Sequence, residues 1–328
     1  MAGIGVSAAE MGPRQGVGAD TVLPGPRQGV DKDGVAELLC WQAGSGLRPA
    51  AEVPAKLLVA DSWLLEHGTA RGLDLHRARF LAGCEAVDGI ESAELPAFWS
   101  ALLDRLPRNG MLFPRAELVA TGAGNRLRLR LRPAPPRTGE IVVWAPGETD
   151  SREAPRRKGP DIDRLATLRD RAVAHGATEA LLVTNSGFVL EGATSSLLWW
   201  EGDILCLPDP SLRVLPSVTA ELISRAAHAR GITVRRRRRR LADLAGREAW
   251  LANALHGIRP VVGWLGSTVS PAVPVRAAGW RQWWQDCAQA LPTPTRSPLE
   301  SSVPSLLAAP VKSLLYRPNP ENAETVDS

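Results

Sequence analysis

The sequence predicts a mixed α/β (α+β) protein of two modest domains, and three observations support this. Strand-like apolar runs and stretches of helical spacing alternate along the chain, with no long block of either kind. The 328 residues, 44% of them hydrophobic, suffice for two cores. Clustered prolines from Arg132 to Gly139 can continue neither a sheet nor a helix, so they mark a linker.

Residues 1–33 are rich in Gly and small side chains and carry Gly-Pro-Arg-Gln-Gly-Val twice, at Gly12 to Val17 and Gly25 to Val30. They read as a disordered extension without the apolar core of a signal peptide. A small domain is expected over 34–136. Leu57 to Ala60 reads as a strand, Leu73 to Phe80 opens a helix running toward Cys84, and Pro96 to Leu106 turns Phe98, Leu102, Leu103 and Leu106 inward. Leu127, Leu129 and Leu131 alternate with Arg126, Arg128, Arg130 and Arg132, the pattern of a half-exposed strand with its arginines on a solvated face.

A larger domain is expected over 140–290. Ile141 to Trp144 begins it as a strand. Asp161 to His175 follows as a helix, with Asp161 as its cap and Gly176 as its stop. Ala180 to Trp200 forms a hairpin through Asn185-Ser186-Gly187, and the strands lead on to Ile204 to Leu207. Ser217 caps a helix that stops at Gly231. Ala249 to Asn253 and Ile258 to Trp264 pair through a turn. Gly279 to Leu291 reads as a last helix with Trp280, Trp283, Trp284 and Cys287 packed inward, and residues 291–328 as a Pro/Ser-rich disordered tail.

Composition excludes several function classes. Cys40, Cys84, Cys206 and Cys287 contain no Cys-x-x-Cys pair and the five histidines no metal-ligand spacing, which argues against a disulfide scaffold or a metal site and fits a reducing cytoplasm. No apolar run is long enough for a bilayer. The net charge of +4 is exceeded by the single run Arg235 to Arg240. Such a run can bind phosphate backbones, so a nucleic-acid-binding protein is the second function class; the run lacks interleaved aromatics for base stacking, which ranks it below an enzyme.

The residues that suggest an enzyme come in a fixed order. Glu191 ends the apolar run Phe188-Val189-Leu190, where a carboxylate needs a cation or a protonated ring nitrogen. Lys158 lies 33 residues upstream and is one of only four lysines among 39 basic residues, a place where a deprotonatable amine matters and Arg could not substitute. Downstream, the N–H groups of Val218 and Thr219 form an anion site at a helix N-terminus. An amine, an acid for a pyridine nitrogen and a phosphate cradle together suit pyridoxal phosphate.

Lys158, the stretch Gly176 to Ser196, Leu215-Pro216-Ser217-Val218-Thr219 and Leu251 to Val261 together resemble the class IV, or fold type IV, pyridoxal-phosphate enzymes, which include branched-chain and D-amino-acid aminotransferases and aminodeoxychorismate lyase. The resemblance implies a small N-terminal α/β domain, a larger pseudo-barrel-like C-terminal domain, a cofactor between them and a homodimer. It implies Lys158 as the lysine that bonds the cofactor, Glu191 as partner of the pyridine nitrogen, and Val218, Thr219, Asn253 and Ala254 around the phosphate. His76 and Arg79 match the family's His-x-x-Arg, which sends the arginine to the phosphate. Asp61 to Gly68 departs from the glycine-rich Tyr-Gly-x-Gly-x-Phe-Glu segment of many relatives, and Ser196 stands where they commonly carry Asn; a relative with weakened or changed chemistry therefore stays open.

The expected reaction is closest to that of aminodeoxychorismate lyase, giving 4-aminobenzoate and pyruvate, because of the Asn253-Ala254-Leu255 segment and because Tyr316 is the only tyrosine. A branched-chain or D-amino-acid aminotransferase is the alternative. His256 and Arg259 are candidates for the carboxylate of a small amino substrate.

Overall fold

The computed structural model describes residues 37–294. The extension expected at 1–33, and the tail beyond residue 294, lie outside the described residues.

Strands β1 (Glu37–Gln42), β2 (Gly46–Pro49) and β3 (Lys56–Ser62) open the fold. The short β4 (Leu65–Glu66) and β5 (Thr69–Ala70), helices α1 (Leu73–Glu85) and α2 (Glu94–Arg105), and β6 (Met111–Leu112) follow. Strands β7 (Arg115–Thr121) and β8 (Gly124–Leu131) complete an antiparallel sheet of order β2-β1-β8-β7-β3. His76, Phe80 and Cys84 recur every four residues, so α1 buries one face, and Leu95, Phe98, Trp99 and Leu102 do the same for α2. Both helices pack on one face of the sheet over Leu118, Leu127 and Leu129.

The opposite face of that sheet corrects the sequence reading. Arg128 and Arg130 are buried, each 6% exposed, where a solvated face was expected. The cause is Glu117 on the neighbouring strand, itself fully buried, which accepts from the side chains of Arg115 at 2.6 Å, Arg128 at 3.0 Å and Arg130 at 2.9 Å. Glu52 covers the two inner arginines from outside. The period-two alternation is therefore real, and in the middle of the strand both faces are inside, one apolar and the other an ion-pair network, while Arg126 stays exposed as expected.

The second half contains β9 (Ile141–Trp144), α3 (Ile162–Ala174), β10 (Glu179–Val183), β11 (Val189–Gly192), β12 (Ser196–Glu201) and β13 (Ile204–Pro208). Helix α4 (Val218–Ala229), β14 (Val234–Arg237), a 3-10 turn at Leu241–Leu244, β15 (Ala249–Asn253), β16 (Gly257–Leu265), α5 (Ala277–Asp286) and β17 (Gln289–Ala290) complete it. The sheet order β11-β10-β9-β16-β15-β12 closes on itself because β11 also pairs with β12 through Glu191 and Ser196. The ring's interior holds Val143, Leu181, Val189, Leu197, Leu251 and Val261. The alternate residues Leu198, Trp250, Ala252 and Ile258 face outward under α4 and α5.

Two helix ends differ from expectation. Asp161 stands at the cap position of α3 but makes no cap; its carboxylate turns back to accept from the N–H groups of Glu153 and Ala154, both at 2.9 Å, and so closes the loop that carries Lys158. Helix α5 stops at Asp286 and does not reach Leu291, because the chain leaves to pair β17 with β5 and to bury Leu291 in the core of the first half. Leu291, expected at the start of the tail, thus packs into the fold. Arg71 fastens the same junction, donating to the carbonyl of Trp284 at 2.6 Å.

Candidate active site

Lys158 is pinned where the two halves meet. Its carbonyl accepts from the N–H of Ala60 on β3 at 2.8 Å. At Gly159 the backbone adopts φ +138°, and a Cβ there would lie 2.8 Å from Cα of Val59, so the approach admits only glycine. Burial, the nearby charge of Arg79 and, more weakly, those of Arg115 and Arg132 push the Lys158 ammonium down to about 8, against the pull of Asp61. An amine in that range is available as a nucleophile and base near neutral pH.

Beside it, Asp61 is fully buried between two residues of α1. Its carboxylate receives Nδ1 of His76 at 2.7 Å, and Nε and Nη2 of Arg79 at 2.8 Å each. Burial opposes the charge, yet Arg79 and His76 hold the carboxyl well below its ordinary range. Arg79 also donates from Nη1 to the carbonyl of Pro216 at 3.0 Å, which leaves one N–H on each terminal nitrogen for a ligand. Pro216 leads into α4, where the Ser217 hydroxyl accepts from the N–H of Ala220 at 3.2 Å. The N–H groups of Val218 and Thr219 have no partner within the helix.

Glu191, 4% exposed, lies on β11. Its Oε1 accepts from Nη1 of Arg152 at 2.6 Å and from the N–H of Leu215 at 2.9 Å, leaving Oε2 without a donor among the described residues. Burial raises its pKa in spite of Arg152. Arg152 is oriented by Asp150, which accepts from its Nε at 2.7 Å. A cavity of about 380 Å³ is lined by Arg79, Glu191, Ser196, Leu215 and Val218, and a second of about 680 Å³ by Lys158 and Arg213; they adjoin at Arg79, Arg156 and Pro216. The donor set fits pyridoxal phosphate: an amine of lowered pKa, a buried carboxylate with one open oxygen, and an arginine beside a helix N-terminus.

Of the residues singled out in the sequence, Lys158, Arg79, Glu191 and Val218 line these adjoining cavities, and Thr219 is buried one residue further into α4. Asn253, with Ala254 next to it, serves the β15–β16 turn: its Oδ1 accepts from the N–H groups of Leu255 and His256, and its Nδ2 donates to the carbonyl of Thr194. Arg259 points into the ring interior, toward Ser195, whereas Ser196 lines the cavity on the other face. Asp61 and Arg152 were not anticipated. Asp61 sits in the segment that departs from the relatives, and among 35 arginines nothing local marks Arg152 as the cation that Glu191 requires.

The arginine run is mostly used internally. Arg237 and Arg239 approach Glu201, whose pKa is lowered to about 2 chiefly by the hydrogen bond from Arg239, with the Trp199 N–H and the charge of Arg239 adding to it. Arg238 donates to the Ser211 hydroxyl, and Arg240 lies over the Phe188 ring. Among the described residues no helix is long and apolar enough to cross a membrane, and no cluster of His, Cys, Asp and Glu could hold a metal ion.

A closed ring with a lysine, a buried glutamate and an arginine at one helix N-terminus defines a class of enzyme, and the comparisons give its family. Residues 58–264 match the model of amino-transferase class IV, and the chain belongs to that family. It is an enzyme of the α/β architecture expected from the sequence. A hypothetical aminotransferase from Mycobacterium tuberculosis, in its PLP-bound form, is similar in structure with a TM-score of 0.66 and 17% identity over 76% of this chain and 98% of that one. The holo-form of a branched-chain amino acid aminotransferase from Thermobaculum terrenum gives 0.66 and 16% over 80% and 100%. The 4-amino-4-deoxychorismate lyase from Pseudomonas aeruginosa gives 0.59 and 22% over 73% and 96%. The PLP-bound neighbours accord with the expected cofactor. No curated protein sequence matches the chain.

Proposed function

We propose that the chain is a pyridoxal-phosphate enzyme acting on an acidic amino substrate, with a reaction closest to that of an aminodeoxychorismate lyase, releasing pyruvate and leaving 4-aminobenzoate. The observation that carries the cofactor assignment is the convergence of Lys158, Glu191 and Arg79 on two adjoining cavities. In this reading Arg79 and the N–H groups of Val218 and Thr219 hold the phosphate, joined by the turn at Asn253 and Ala254. Glu191 would hold the pyridine nitrogen and keep its proton in place. Pyridoxal phosphate supplies an aldehyde for an amine and a ring that accepts electrons. Lys158, with a pKa near 8, takes and returns the proton at the substrate carbon. Arg152 acts by orienting Glu191.

The substrate class is supported by the small-domain sheet face that bears Arg115, Arg128 and Arg130, with Arg132 just beyond it. Arg115, Arg128 and Arg130 bond Glu117, and Glu52 bonds Arg128 and Arg130. An acidic substrate is favoured by the positive charges of Arg79, Arg115 and Arg132 that act on Lys158, where a substrate would react. His256 and Arg259 were the sequence candidates for that carboxylate; Arg115 and Arg132, whose charges reach Lys158, are better placed. A homodimer, as the resemblance implies, and a cytoplasmic location complete the proposal.

The test is reductive trapping with borohydride after adding pyridoxal phosphate, with peptide mapping, in wild type and Lys158→Ala. A pyridoxyl group on Lys158 in the wild type alone supports the assignment; labelling of Lys56 instead, or of neither, refutes it. Pyruvate release from aminodeoxychorismate without a keto-acid acceptor supports the lyase, and strict dependence on an acceptor supports an aminotransferase.

A further inference from the structure

The larger cavity, of about 680 Å³, is a trough whose charge is not balanced. One wall is α1, where Ala78, Ala82 and Ala86 present only methyl groups at four-residue spacing; the other is the loop from Glu153 to Lys158, with Arg213 and Pro216 at its end. Arg156 and Arg213 are exposed along it and Arg157 is half-buried. Among the described residues none of these three meets a carboxylate. Arg156 donates from Nη2 to the carbonyl of Pro210 at 2.8 Å, Arg157 from Nη1 to that of Ala86 at 3.4 Å, and Arg213 from Nη2 to that of Arg152 at 2.8 Å. A carbonyl accepts a hydrogen bond without cancelling the charge, and each guanidinium keeps most of its N–H groups for another acceptor.

The other charged groups along the trough are already paired or turned away. Glu153, the acid in its wall, meets Arg164 at 2.9 Å, and Arg79 is balanced by Asp61. Asp161 lies behind the loop and spends both oxygens on the N–H groups of Glu153 and Ala154. What remains is a rim of three arginines on an exposed edge. That rim is continuous with the smaller cavity at Arg79, Arg156 and Pro216, the point from which the chain enters the N-terminus of α4.

We propose that Arg156, Arg157 and Arg213 form an entry site for a phosphate monoester dianion, capturing the phosphate of incoming pyridoxal phosphate at the rim and passing it to Arg79 and the N–H groups of Val218 and Thr219. The inference rests on the reading of that helix N-terminus as the phosphate cradle. Like charges along one edge of a cleft with an apolar wall attract a dianion from solution and raise its rate of encounter. The two sets of arginine differ in kind. Arg79 is fixed in orientation by the Asp61 fork and suits retention, whereas the rim arginines are held only by carbonyls and suit capture.

The experiment mixes cofactor-free full-length protein with pyridoxal phosphate and follows the absorbance of the bound cofactor; the readout is the slope of the observed rate against cofactor concentration. At low salt the slope is expected to fall about tenfold in the pair Arg156→Ser and Arg157→Ser, and further when Arg213→Ser is added. The pair Arg156→Lys and Arg157→Lys is expected to keep most of the wild-type slope, because charge does the steering. With pyridoxal, which lacks the phosphate, wild type and serine variants are expected to give equal slopes, and at about 0.5 M salt the gap with pyridoxal phosphate is expected to close. Equal slopes for pyridoxal phosphate at low salt overturn the proposal. So does an equal loss with pyridoxal, which would make the arginines structural. If the serine pair does not fold, Arg156→Gln alone serves, with a fall of about threefold expected and no fall refuting the proposal. Absence of a trapped adduct on Lys158 in wild type refutes the cofactor reading and this inference with it, whereas an adduct that forms with equal slopes refutes this inference alone.

Discussion

Replacing Asp61 tests how the site is held, because this residue joins His76, Arg79 and, through its charge, Lys158. Its carboxylate accepts three bonds between 2.7 and 2.8 Å in a fully buried position. Asp61→Ala removes one partner from a buried ion pair, a change that costs about 3–5 kcal/mol because the remaining charge is left uncompensated. Asp61→Asn keeps the shape and one acceptor and should cost roughly 1–3 kcal/mol. The first loss is a large part of the roughly 5–15 kcal/mol that holds a domain together. Acid should reproduce it. The folded pKa of Asp61 is depressed relative to the unfolded value of about 3.9, so the unfolded chain binds the proton more readily. The stabilisation is complete above that value and is lost as pH falls toward the folded pKa. Urea unfolding of wild type and Asp61→Asn at several pH values measures both effects. The variant should be less stable at pH 7 with an unchanged m-value, and the gap should narrow below about pH 4. A gap under about 0.5 kcal/mol at pH 7, or one that does not change with pH, would refute the reasoning.

Trapping of pyridoxal phosphate on Lys158 should rise with pH through a midpoint near about 8, because only the neutral amine attacks; a midpoint above 10 would show that burial and Arg79 do not act as described. Arg152→Met leaves Glu191 with only the Leu215 N–H as donor and should raise its pKa further. Turnover should fall at least tenfold with a smaller change in cofactor affinity, and equal turnover would remove the positioning role. Glu117→Gln should destabilise the first half by about 3–5 kcal/mol in thermal or urea unfolding, since three arginines lose a shared buried carboxylate; a loss under about 1 kcal/mol contradicts the network. Changing Arg235 to Arg240 all to Ser should leave retention on DNA or RNA unchanged, whereas a salt-sensitive loss would revive the nucleic-acid reading.

What the sequence revealed follows from the range over which each signal acts. Periodicity and turn chemistry are local, so α1, α3, α4 and the strand pairs around Asn185-Ser186-Gly187 and Asn253 were legible, with ends within a few residues. Lys158 and Glu191 were legible because each is chemically out of place: a rare lysine in an arginine-rich chain and an acid closing an apolar run. Partners are not local. Arg152 reaches Glu191 across 39 residues and Asp61 reaches Arg79 across 18, and no spacing rule chooses one arginine from 35. The strand from Gly124 to Leu131 shows the same limit in its clearest form. Alternation identifies two faces but says nothing of what covers the second, and an arginine is as compatible with a buried carboxylate as with water. Only Glu117 on the adjacent strand decides between them. The same long-range pairing has Glu179 meet Arg259 in the ring through the Ser195 hydroxyl. A sequence can thus name the residues that need partners more readily than the residues that supply them.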